Sequence, residues 1–178
     1  MKTILTLLLV LLSCITTAQT FEQDLPDDFT AISYTFDLFG SIDKEGINSV
    51  LSIDRVDFEW VDWHISCQTI FTSKYSDEGN FKLDYADLLF GAGPMIPLSS
   101  RMTITPGIHT GFLYRPKNNI FMGNRGAWTI GVTMKGRLWL GKTKKHGIII
   151  LGDYTKAPDV AEKWGRINGS MGWTVIIN

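Results

Sequence analysis

The residues of this chain that could do chemistry are three histidines, one strand cysteine and a set of charges at alternating positions. A zinc site draws its ligands from closely spaced His, Cys or acidic residues. His64, His109 and His146 stand far apart, and no His-x-His or His-x-x-x-His spacing occurs, so no metal or other cofactor is expected. The sequence has no Gly-rich phosphate loop and no nucleophile elbow. Cys67 shares one strand face with Ile65 and Thr69, opposite Ser66 and Gln68, and reads as a thiol packed on a strand, not as a nucleophile. The charges say more. Arg55, Asp57 and Glu59 alternate with Val56, Phe58 and Trp60; Lys82 and Asp84 alternate with Phe81, Leu83 and Tyr85; Lys135 and Arg137 alternate with Met134 and Leu138. Side chains on a strand point to opposite faces in turn, so each set marks the polar face of a two-faced strand. Turned into a closed interior, opposite charges on such faces must pair, because an unpaired buried charge is costly. The expectation is a polar side-chain network, with an ion relay or a small-ligand site as the sharper alternative.

Such a face needs long strands to carry it. From Met102 to Tyr114 and from Trp128 to Leu140 the alternation runs for about a dozen residues, against a usual strand length of about five or six. Six further segments carry strand patterning: Phe29–Phe39, Ser49–Val61, His64–Lys74, Asn80–Gly91, His146–Thr155 and Gly169–Asn178. Turn chemistry rich in Gly, Asn, Asp and Pro separates them, and no segment of useful length has a helical period. Pro106 removes a ladder hydrogen bond in mid-strand, so a bulge or kink is expected there. The fold class read from this pattern is all-β, an antiparallel up-and-down barrel of about eight strands.

The first 18 residues read as a signal peptide: Lys2, an apolar run from Ile4 to Leu12 too short to span a bilayer, and a small-residue cleavage site at Thr16-Thr17-Ala18. Leu11-Leu12-Ser13-Cys14 offers a competing lipoprotein box with Cys14 acylated, although Leu12 fits that box poorly. The expected organisation is 1–18 signal peptide, 19–28 N-terminal tail and 29–178 barrel. The mature chain then holds Cys67 alone, which allows no internal disulfide. A net charge of −1 with no basic block argues against nucleic acid as a partner.

From Gly91 through Pro94, Pro97-Leu98-Ser99-Ser100 and on to Gly107 and Gly111, the chain resembles a small outer-membrane β-barrel: a strand ending in Gly, a Pro-Leu-Ser turn, then a long alternating strand with a Gly pair. The leader ending Ala18-Gln19 resembles those of the Bacteroidota. The resemblance implies export to the outer membrane of a Gram-negative cell envelope, contact with outer-membrane lipid, and a monomer. It also implies short turns at the periplasmic end and longer outer loops, here Gly40–Asn48, Asn118–Gly126 and Lys156–Asn168. The lipopolysaccharide deacylases among such barrels use a Ser/His pair on adjacent strand positions. His109 is followed by Thr110-Gly111, so that pair is missing and no enzyme is expected.

On this reading Arg55, Asp57, Glu59, Lys82, Asp84, Lys135 and Arg137 face the lumen. Tyr114, Trp128 and Tyr154 fall toward one set of strand ends and Trp60 and Trp63 toward the other, as membrane interfaces select. An eight-stranded interior is just filled by side chains, so the function expected is a structural or surface-contact role without an open pore, with a surface or periplasmic protein as a possible further partner. Alternation alone does not say which face points outward. A soluble exported barrel or sandwich binding a hydrophobic ligand inside is therefore the alternative, and a lipid-modifying envelope enzyme a more remote one.

Overall fold

Nine strands form one sheet: β1 (Phe29–Asp37), β2 (Gly46–Asp57), β3 (Val61–Thr72), β4 (Lys82–Pro94), β5 (Ile96–Ser99), β6 (Met102–Tyr114), β7 (Gly126–Leu140), β8 (His146–Lys156) and β9 (Gly165–Ile176). The structure, a computed structural model, describes residues 25–37, 46–57, 60–72, 82–114, 126–158 and 165–177. The proposed leader, Glu59 and most of the three expected outer loops lie outside these residues. Each long strand pairs antiparallel with its neighbour in the chain, β4 pairs β6, and β9 returns to pair β1. The sheet is thereby a closed barrel of eight long strands. Closure leaves no edge, the condition for a β-structure to sit in lipid.

The short β5 continues the line of β4. Pairing of β4 with β6 stops at Ala92↔Ile108 and resumes from β5 at Ile96↔Ile104. Pro106 lies opposite the gap, and its ladder to β7 runs unbroken through Pro106↔Met134. The bulge or kink expected at Pro106 is thus an interrupted ladder, since proline brings no N–H to that seam and Pro94 faces it with none either. Residues 97–99, expected as turn, are strand. The register shifts fall elsewhere, at Pro97/Ser99 and between Ile70 and Phe71, where β4 carries one extra residue, Asp84.

The alternation resolves which face is outward. On β6 and β7, Ile108, Phe112, Trp128, Ile130, Val132 and Met134 are exposed, while Thr103, Thr105, His109, Thr129, Lys135 and Arg137 are buried. Apolar residues point out and polar ones in, the reverse of a soluble barrel. The interior that the soluble reading needs for a hydrophobic ligand is instead polar and charged among the described residues. One apolar cluster does lie inside, at the end where Phe29 and Ile176 sit, called here the near end. Leu25, Phe29, Val56, Met95, Trp139 and Ile176 pack there, with the Phe29 and Trp139 rings edge to face at 5.7 Å. Leu25 belongs to the segment expected as a tail, so part of that tail helps close the barrel base.

Candidate functional site

Above the apolar base, β2, β3 and β7 bring four ionised groups together. Lys135 and Arg137 are two apart on β7 and so share its inward face. Lys135 Nζ donates to Asp54 at 2.5 Å and to Asp62 at 3.4 Å. Arg137 donates to Asp62 at 2.7 Å and lies 3.2 Å from Asp54. All four side chains are essentially withdrawn from solvent. Ser33 and Ser52 donate to the Asp54 carboxylate at 3.2 and 3.0 Å, taking up acceptor capacity that the two cations leave. Two positive and two negative charges balance, which is the arrangement under which buried ions persist.

A second polar layer lies toward the far end. Arg166 of β9 donates to Asp87 of β4 at 2.7 Å and to Gln68 of β3, and lies 3.6 Å from Asp153 of β8. Asn168 and Thr155 both donate to Asp153, at 3.1 and 3.0 Å. His109 Nε2 meets Thr155 Oγ1 at 3.0 Å. The hydroxyl thus lies between imidazole and carboxylate and gives its proton to the carboxylate. That order ties His109 in place and does not activate Thr155 as a nucleophile, where the imidazole would have to accept its proton. Between the layers a void of about 20 Å³, bordered by Ser52, His64, His109, Thr133, Lys135 and Asp153, has room for a single water.

Ligand atoms of Asp54, Asp62 and His64 fall within 4.8 Å of one another, a grouping that the sequence spacing does not show. Lys135 and Arg137 already neutralise both carboxylates, so the cluster has no charge deficit for a metal ion to fill.

Of the residues expected to line the lumen, Lys135 and Arg137 are inside. Arg55 and Asp57 are not: they lie on the outward face near the barrel base, half-exposed, paired with each other at 2.7 Å. Among the described residues of β2, those that face inward are Val50, Ser52, Asp54 and Val56. Apolar Val56 points in because it belongs to the apolar base, so the rule "apolar outward" inverts at that end of the strand. Lys82 and Asp84 lie on β4 with side chains outside the described residues. Asp87, three residues after Asp84, is the β4 carboxylate seen in the lumen. Asp54, Asp62, Asp87, Asp153 and Arg166 were not anticipated. The Leu51/Ile53 alternation against Ser52/Asp54 and the Trp63/Ile65 alternation against Asp62/His64 carry the signal for the first two.

Trp63, Tyr114, Trp128 and Tyr154 are exposed on the outer wall, and Trp60 is exposed in the turn between β2 and β3. Trp60 and Trp63 sit at the near end; Tyr114, Trp128 and Tyr154 sit toward the far end, where β6 and β8 finish and β7 begins. Two aromatic bands thus flank a wall of Ile, Val, Leu, Met and Phe, the belt pattern of transmembrane barrels.

No known family model matches the chain, and no curated protein matches it by sequence. Solved structures to which it is similar include barrels of this class. Neisserial surface protein A superposes with a TM-score of 0.57 at 11% identity, over 85% of this chain and 98% of that one. The Yersinia pestis outer membrane protein Ail, in a phospholipid bilayer nanodisc, gives 0.52 at 17% identity, over 84% and 98%. A de novo designed transmembrane β-barrel gives 0.51 at 10% identity, over 88% and 100%. At these identities the likeness is one of fold: this chain folds as a small outer-membrane-type β-barrel.

Proposed function

We propose that this chain is an integral outer-membrane protein whose closed barrel serves a structural or surface-contact role, and that it conducts nothing through its lumen. The observation that carries the reading is the reversed polarity of the barrel, an apolar wall between aromatic bands around an interior of paired charges. The apolar base supports the second half of it, because Phe29, Val56, Met95, Trp139 and Ile176 pack together inside the near end, where a pore would need water. Membrane extracts test the location. The protein should resist carbonate and salt washes, need detergent for release, and migrate faster on gels unheated than boiled. Release by carbonate alone would overturn the membrane reading. In planar bilayers the folded protein should give no steady conductance.

Depth dependence is a sharper check. Val132 is 53% exposed halfway along β7, and Leu98 is exposed on β5 at the near rim. In lipid, Val132→Arg should cost about 2–4 kcal/mol and Leu98→Arg about 0–1 kcal/mol. Urea titration of the folded protein in phospholipid vesicles measures both. Equal, small costs at the two positions would mean that water, not lipid, covers the wall.

A further inference from the structure

The outer wall is not evenly covered. On the two strands that meet at the proline seam, Phe90 of β4 stands opposite Thr110 of β6, and Ala92 stands opposite Ile108. Thr110 and Ala92 are therefore short outward side chains set on a diagonal among large ones. The result is a depression of about 880 Å³ that extends across β2 to β4 and β6 to β8. Ile65 and Phe90 border it on one side, Ile130, Val132 and Tyr154 on the other. Its volume falls in the range of about 300–1,000 Å³ seen for ligand sites, and it lies open on its outer side to whatever covers the wall.

Its position and charge select the occupant. The depression lies inside the apolar belt, so, on the membrane reading proposed above, what covers it is a lipid chain. Two cations mark its ends. Arg55 is already engaged by Asp57 at 2.7 Å and Asp28 at 3.9 Å. Lys156, the last residue of β8, is exposed at the far rim, one turn of the pleat beyond Tyr154. We propose that the depression is a binding site for one membrane lipid with a phosphorylated headgroup, its acyl chain lying across Ala92 and Thr110 and its phosphate on Lys156 Nζ. Charge-assisted pairing of an ammonium with phosphate is stronger than a neutral hydrogen bond and supplies the headgroup preference.

Phosphatidylglycerol is the probe. The full chain is folded into phosphatidylcholine vesicles containing a minor share of phosphatidylglycerol, extracted in mild detergent and weighed intact by native mass spectrometry. The expected result is one phosphatidylglycerol retained per barrel. Ala92→Leu, which raises the floor of the depression where the acyl chain crosses it, should reduce retention of either lipid about tenfold. Lys156→Gln, at a strand end where folding is not at stake, should keep the chain but abolish the preference for phosphatidylglycerol over phosphatidylcholine. Gel mobility before and after boiling confirms that each variant is folded. Wild-type protein that inserts but retains no lipid, or an Ala92→Leu barrel that retains as much as wild type, overturns the site and leaves the membrane reading standing. Unchanged headgroup preference in Lys156→Gln overturns the assignment of the phosphate. Failure of the wild-type barrel to enter vesicles at all overturns both readings.

Discussion

Arg137→Met is expected to destabilise the barrel by about 3–5 kcal/mol, because it leaves two buried carboxylates to one ammonium. Arg137 lies against Asp62 at 2.7 Å and Asp54 at 3.2 Å, with all three side chains fully buried. Removing the guanidinium turns a balanced quartet into a site of net −1, and Met fills its volume without replacing a donor. The cost therefore comes from what is left behind, and a second substitution should reveal that. Arg137→Met combined with Asp62→Asn restores balance, leaving Lys135 on Asp54 at 2.5 Å, and should recover most of the loss. Arg137→Lys keeps the charge but gives up the planar fork that serves two carboxylates at once, so it should fall between wild type and Met. Urea unfolding in phospholipid vesicles, followed by tryptophan emission and by gel mobility, measures all three. A single Arg137→Met effect below about 1 kcal/mol would mean that the carboxylates are protonated or hydrated and that the quartet is not an ion cluster.

That quartet also shows how far the sequence could be read. Long strands, polar inward faces on β6 and β7, and the inward aim of Lys135 and Arg137 follow from alternation, which survives wherever a strand is regular. Their partners were hidden for two physical reasons. First, β2 crosses from the lipid belt into the apolar base, so Val56 is apolar and inward while Arg55 and Asp57 are charged and outward at the rim. Reading the parity from that end of the strand inverts it. Second, the extra residue Asp84 in β4 shifts the register against β3 between Leu83 and Tyr85, so a parity set upstream of the bulge does not carry to Asp87. Pairings such as Lys135 with Asp54, 81 residues apart, depend on closure of the ring, to which local pattern is blind. The depression on the outer wall was hidden for a related reason: Ala92 and Thr110 become neighbours only once β4 and β6 are in register.

Closure itself should depend on a single hydrogen atom in place of a methyl group at position 172. Gly172 of β9 is paired with Thr35 across the β1–β9 seam, the contact that turns the sheet into a ring. A Cβ there would lie 1.8 Å from the Tyr34 carbonyl oxygen and 2.6 Å from the Thr35 Cα, both backbone atoms that cannot swing aside. Small barrels curve tightly, and glycines let adjacent backbones approach at the bends. On either side of Gly172 the lumen face of this seam is held by hydroxyl pairs, Thr35 with Ser170 at 2.8 Å and Ser33 with Thr174 at 2.9 Å. Gly172→Ala must therefore part the strands where two buried hydrogen bonds fix their spacing. Its cost should be at or above the top of the about 1–3 kcal/mol usual for overpacking, enough to slow or prevent formation of the fast-migrating folded band. Gly136→Ala on β7 is the matched control. Its Cβ would meet nothing closer than the Ile150 carbonyl oxygen at 4.0 Å, an ordinary contact, so that barrel should fold as wild type does. If Gly172→Ala folds as readily as Gly136→Ala, the two strands stand farther apart at the seam than these contacts require, and the ring is closed by the hydroxyl pairs without need of the glycine.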